Sequence, residues 1–282
     1  MNNSKSSVKE LFINLLLLIV LILLLALPAY LCYRVFILQD TPTQTEKQQE
    51  DIQSQSENPI TEDDLQVING SPYEELTPVI DGQQAYIVIP SNIKDSNPTT
   101  LIVYNHSSDT TVTTNMNDSF MQDLKAYGIF FTQYNFIFAA SNAHGDDMGN
   151  ESSMRDIENL IEWVSNGYPI ENKLHMIGFS RGSLVTMNFS TDNPELIEKI
   201  ALLAPTVRIE EWNVSRAQKL KGIKIKIWHG SDDSIIKLSK STDFVSLMKS
   251  YNIPIELTVL DGKDHYDVDA EYMQDILDFF QS

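Results

Sequence analysis

Between residues 100 and 260 the chain alternates short apolar runs with longer stretches of helix-favouring composition, and this alternation limits the fold more than any other feature. The runs are TLIVYN (100–105), FIFAAS (136–141), LHMIGF (174–179), IALLAP (200–205), IKIKIWH (223–229) and IELTVL (255–260). Runs this short and apolar on successive residues bury both faces of a strand, and strands separated by helices form a mainly parallel sheet covered on both sides. In MRDIENLIEWV, Met154, Ile157, Leu160, Ile161 and Val164 fall on one helical stripe, with Ser152 or Ser153 placed to cap it. AEYMQDILDFF likewise sets Tyr272, Ile276 and Phe279 on one face. Upstream, ELTPVI and QAYIVIP flank Asp81-Gly82, a turn dipeptide that predicts an antiparallel hairpin. The expected fold class is α/β, with a twisted sheet and no internal repeat.

What precedes this region differs in kind. Residues 15–33 form a run of nineteen side chains without charge or amide, LLLLIVLILLLALPAYLCY, about the length of helix that crosses a bilayer. The run is too long and ends too bulky for a cleaved signal peptide. Lys5, Lys9 and the terminal amine stand before it and only Arg34 closely follows, which favours a cytoplasmic N-terminus and an extracellular remainder. Residues 39–66, rich in Gln, Thr, Ser, Glu and Asp, cannot bury enough apolar surface to offset chain entropy. The expected organisation is a tail (1–10), a single-pass signal anchor (11–38), a flexible acidic and polar linker (39–66) and one folded domain (67–282), with the lipid bilayer as a partner through the anchor.

Charge excludes other partners. The net charge is −19, and before residue 39 only Lys5, Lys9, Glu10 and Arg34 are charged, so the acidity belongs to the rest. Such a field repels phosphate backbones, and nucleic acid is not an expected partner. The one cysteine, Cys32, excludes an intrachain disulfide framework and a cysteine-rich metal site.

The strongest local signal is Gly178-Phe179-Ser180-Arg181-Gly182, directly after the LHMIGF run and before helical SLVTMNFS. Glycines flanking a serine permit a sharp strand-to-helix turn that leaves the hydroxyl exposed at the end of the sheet. A serine needs a base to become nucleophilic at neutral pH. An acid and a histidine follow later strand ends, in His229-Gly230-Ser231-Asp232-Asp233 and Asp261-Gly262-Lys263-Asp264-His265. His144, Asp146 and Asp147 lack metal-ligand spacing and are read as hydrogen-bonding groups of a polar loop. Neither a phosphate loop nor a dinucleotide fingerprint occurs, and no cofactor is expected.

Through GFSRG, HGSDDSII and GKDHY the chain resembles the α/β-hydrolase superfamily over about Leu76 to Phe280. The resemblance implies Ser180 as nucleophile, His265 as general base and, four residues beyond His229, Asp233 as the acid, with Asp232 its competitor and His229 structural. It further implies an oxyanion hole built from the backbone amides of Arg181 and of the loop Tyr104-Asn105-His106-Ser107-Ser108. Ser107 stands where many relatives carry glycine; His106 either shapes that loop or caps the strand. The Arg181 side chain either meets an anionic substrate group or pairs with an acidic neighbour on the surface, and the second is the expectation. The segment 206–222 is too short for a large helical cap, which leaves Trp212 as a candidate wall of an open site. The expected activity is a membrane-anchored serine hydrolase that cleaves carboxylic esters, with small ester or acylated substrates, through an acyl-enzyme. The alternatives are a peptidase or amidase of prolyl-oligopeptidase-like type and a non-catalytic surface binding protein.

Overall fold

The computed structural model describes residues 73–93, 98–145 and 149–282. The tail, the expected anchor, the linker, residues 67–72, and Asp146 and Asp147 lie outside these residues. Among the described residues no helix is long and apolar enough to cross a membrane.

Nine strands make the sheet within the described residues: β1 (Tyr73–Leu76), β2 (Val79–Ile80), β3 (Gln83–Pro90), β4 (Leu101–Asn105), β5 (Ile137–Ser141), β6 (Leu174–Phe179), β7 (Ile197–Leu203), β8 (Lys224–Gly230) and β9 (Glu256–Leu260). They are ordered β1-β3-β5-β4-β6-β7-β8-β9, with β2 on β3. β3 runs antiparallel to β1, β2 and β5, and every pair from β5 through β9 is parallel. The expected hairpin forms: Ile80 faces Gln83 across Asp81-Gly82, whose φ values of 47° and 79° suit a two-residue turn that twists with its strands. Thr77 and Pro78 divide the run ahead of it into β1 and β2. Pro78 has no N–H for a ladder, but its carbonyl still accepts from Ala85 N–H at 2.8 Å.

All six expected runs are strands, and β4, β5 and β6 are buried along their whole length. Successive strand residues serve opposite faces. Ala85, Ile87, Ile89, Leu101 and Val103 pack with α2 (Glu151–Gly167), α3 (Gly182–Asp192), α4 (Val214–Gln218) and α5 (Ser239–Ser250). Tyr86, Val88, Ile102 and Tyr104 pack with α1 (Ser119–Thr132) and α6 (Met273–Gln281). The predicted stripe of α2 faces the core through Ile157, Leu160 and Val164, with Met154 and Ile161 partly buried beside them. Its cap is neither expected serine. Asn150 takes that place, its side-chain oxygen accepting from Ser153 N–H at 3.0 Å, because the helix starts at Glu151, three residues ahead of the apolar stripe. α6 buries Ile276 and Phe279 as the periodicity predicts, while Tyr272 belongs to the 3-10 turn Ala270–Tyr272 before it. Only the 3-10 turn Ile209–Glu211 and α4 occupy the connection from β7 to β8, as the short segment required.

Candidate active site

Parallel strands end on the same edge, so loops after β4, β6, β8 and β9 meet at the carboxyl end of the sheet. Ser180 follows β6 directly and sits at φ 50°, a left-handed conformation that a side chain adopts only when its surroundings enforce it. The enforcement is visible. Ser180 N–H donates to Leu203 O at 2.9 Å, and Ser180 O accepts from Thr206 at 2.9 Å and Ser183 at 3.2 Å. The flanking glycines are needed for space. A Cβ on Gly178 would lie 2.5 Å from Thr186 Oγ1, and one on Gly182 would overlap the carbonyls of Asn105 and His106.

The turn delivers the serine hydroxyl to a histidine 85 residues later. Ser180 Oγ lies 3.0 Å from His265 Nε2, and His265 Nδ1 lies 2.7 Å from Asp233 Oδ2. Facing a carboxylate, Nδ1 carries the proton, which leaves Nε2 to accept from the serine hydroxyl. All three residues are buried, Ser180 to 5%, Asp233 to 6% and His265 to 1% exposure. Asp233 Oδ1 accepts from the N–H groups of Ile235 at 2.9 Å and Ile236 at 2.6 Å. Asp232 takes no part: it is exposed, and its carboxylate accepts from Ser231 Oγ.

His229, expected to be structural, adds to the site. Fully buried, it accepts from Ser241 Oγ at Nδ1 (2.7 Å), and its Nε2 faces both Ile236 O at 2.7 Å and Asp233 Oδ2 at 3.1 Å. The spacing of HGSDD held this signal, since a histidine four residues before the acid returns to it across one tight loop.

Ser107 is buried at the end of β4, with its hydroxyl donating to Asp109 Oδ1 at 2.6 Å and its carbonyl receiving His106 Nδ1 at 2.6 Å and Thr110 Oγ1 at 2.9 Å. His106 Nε2 also reaches Asn142 O at 3.0 Å, so this histidine shapes the loop. Among the described residues neither the Ser107 nor the Arg181 amide donates to another group. Asp109 Oδ2 accepts from the exposed Tyr266 hydroxyl at 2.9 Å, which joins this loop to the residue after His265. The hydrogen bond from Ser107 holds the Asp109 carboxyl below its ordinary range, with Tyr266 adding to it.

Two expectations are corrected. The exposed Arg181 side chain pairs with no acidic group among the described residues. Trp212 is no pocket wall: it is 8% exposed, packs against Phe244 at 5.4 Å between ring centroids and lies under the Arg216 guanidinium, because the short connection folds back onto the core. His144 behaves as expected of a polar loop, its Nδ1 meeting Asp156 Oδ2 at 2.5 Å. Among the described residues no cluster of three metal-ligating side chains occurs.

Residues 82–282 match the phospholipase/carboxylesterase family. The chain belongs to that family. This phospholipase/carboxylesterase member is a hydrolase with the α/β-hydrolase fold, and solved structures agree at the level of fold. A thermostable esterase aligns with 15% identity and a TM-score of 0.56 over 74% of this chain, which spans only 62% of that protein. The S-formylglutathione hydrolase FrmB of Staphylococcus aureus aligns with 16% identity and a TM-score of 0.57, over 74% of this chain and 96% of that one. An S-formylglutathione hydrolase of Agrobacterium tumefaciens gives 14% and 0.59, over 77% and 98%. No curated protein sequence matches this family member.

Proposed function

We propose that this protein is a serine hydrolase that cleaves carboxylic esters through Ser180, His265 and Asp233. The observation that carries the reading is the relay from Ser180 Oγ through both nitrogens of His265 to Asp233, at 3.0 and 2.7 Å, in a member of a carboxylesterase family. His265 Nε2 takes the hydroxyl proton as Oγ forms a bond to the acyl carbon. The resulting oxyanion accepts from the amides of Arg181 and Ser107, a type of contact worth about 10²- to 10³-fold in rate for each donor. The imidazolium, stabilised by Asp233, then protonates the leaving alcohol as its C–O bond breaks. Water repeats the sequence on the acyl-enzyme, releasing the carboxylic acid and restoring Ser180.

Residues 11–38 serve, in this reading, as a bilayer anchor that holds the domain outside the cell. Support for it comes from the apolar run 15–33 and its flanking lysines. Protease treatment of intact cells should release a domain-sized fragment; a fully protected chain overturns the orientation.

The enzyme assignment is tested with a fluorophosphonate probe and a panel of p-nitrophenyl esters and aminoacyl p-nitroanilides. The wild type should label and turn over the esters, and Ser180→Ala should do neither while keeping its circular dichroism. An unlabelled wild type points to a binding protein, and preference for the anilides to a peptidase.

A further inference from the structure

The segment that carries His265 follows β9 and passes through the 3-10 turns Tyr266–Val268 and Ala270–Tyr272 before entering α6. Four residues after His265, Asp269 fastens this segment to two distant elements. Its Oδ1 accepts from the Tyr104 hydroxyl of β4 at 2.8 Å and from the Tyr127 hydroxyl of α1 at 3.2 Å, and its carbonyl accepts from Tyr127 at 2.8 Å. Both tyrosines are fully buried, with ring centroids 5.2 Å apart, and Val268 beside Asp269 is fully buried in the same core. Burial pushes both phenols well above their ordinary range, so they remain donors. Burial also holds the Asp269 carboxyl up, at about 7, against the two hydroxyls that favour its ionised form.

Tyr104 is followed by Asn105, His106 and Ser107, the loop that offers the oxyanion amide. One carboxylate thus ties the strand under the oxyanion loop to the segment that presents the base. We propose that Asp269 is a positioning residue, which through Tyr104 and Tyr127 keeps His265 in register with Ser180. The inference rests on the Ser180–His265–Asp233 reading above. Hydrogen-bond catalysis is sensitive to such registration, because a misplacement of about 1 Å from a remote change costs up to about 10²-fold in rate.

The test compares full-length wild type, Asp269→Ala, Asp269→Asn and the double variant Tyr104→Phe/Tyr127→Phe, using p-nitrophenyl butyrate turnover and fluorophosphonate labelling well below each melting midpoint. Alanine should lower kcat and the labelling rate by about 10- to 100-fold with little change in KM. Asparagine retains a side-chain oxygen for both hydroxyls and should restore most of the rate. The phenylalanine pair deletes only two hydroxyl groups, keeps the rings packed and should reproduce the alanine loss. A folded Asp269→Ala protein or phenylalanine pair with wild-type kcat overturns the proposal. So does a loss that asparagine fails to rescue. An inert wild type overturns the hydrolase reading and this inference together, whereas an active wild type with unaffected variants overturns this inference alone.

Discussion

The imidazoles of His229 and His265 converge on one oxygen, Asp233 Oδ2, at 3.1 and 2.7 Å. With two backbone amides on Oδ1, both oxygens of the carboxylate are held, and its line to Ser180 runs through the His265 ring. A carboxylate so fixed can orient an imidazole without itself wandering between rotamers, which is what a buried acid contributes to a relay of this kind.

Asp233→Asn should therefore lower kcat by about 10⁴-fold, because an amide there favours the wrong tautomer of His265. Asp232→Asn should leave kcat near wild type, since that side chain is exposed and meets only Ser231. Steady-state kinetics on both variants decides, and the reverse order would reassign the acid.

His229→Phe removes one of the two imidazoles and deprives the buried Ser241 Oγ and the part-buried Ile236 O of their partner. Leaving buried polar groups unpaired costs about 1–3 kcal/mol each. The variant should melt at lower temperature and, while still folded, label more slowly with fluorophosphonate. Unchanged labelling would reduce His229 to a packing role.

Gly182→Ala places a methyl group against the carbonyls of Asn105 and His106. Overpacking of this kind costs about 1–3 kcal/mol, and relief requires the turn that carries Ser180 and the 105–107 loop to part. The expected outcome is a lower melting midpoint together with lost esterase activity, measured by calorimetry and turnover. Wild-type behaviour in both would contradict the close approach.

His175 predicts an acid limit to stability. It is 2% exposed, lies tilted against Phe280 at 4.6 Å between centroids, and its Nδ1 has no partner among the described residues. Burial lowers its pKa to about 4, with Lys199 adding to the effect and Glu198 opposing it. Since the unfolded chain takes up the proton near pH 6.5 and the folded one only near 4, stability falls as pH drops through that window. Linkage puts the loss between pH 7 and pH 5 at about 2 kcal/mol. Asp269, held up at about 7, works in the opposite direction over the same range, so the His175 share is read as a difference: from pH 7 to pH 5, wild type should lose about 2 kcal/mol relative to His175→Phe in paired urea titrations.

The parts of this architecture that were legible in the sequence are those written in local order. Apolar runs marked β4 through β9, the Asp81-Gly82 turn marked a hairpin, and the succession GFSRG, HGSDD, GKDH marked Ser180, Asp233 and His265, which the structure brings into contact. What could not be read depends on distant partners. Asp269, Tyr104 and Tyr127 come together across separations of 165 and 142 residues, and no spacing rule links them. The place of β3 beside β5 follows from pairing across the sheet. Trp212 was ambiguous because an aromatic residue in a short connection is equally suited to a cleft or to the core, and only the path of the chain decides. Arg181, which meets no acidic group among the described residues, shows the same limit from the other side, since an acidic chain does not dictate where its carboxylates stand.

The close seat of Gly182 on the Asn105–His106 backbone has a consequence for engineering. Chimeras that graft the GFSRG pentapeptide from this enzyme into a relative, or the reverse, should fail unless the 105–107 segment travels with it. The two pieces are one interchangeable cassette, although some seventy residues of chain separate them.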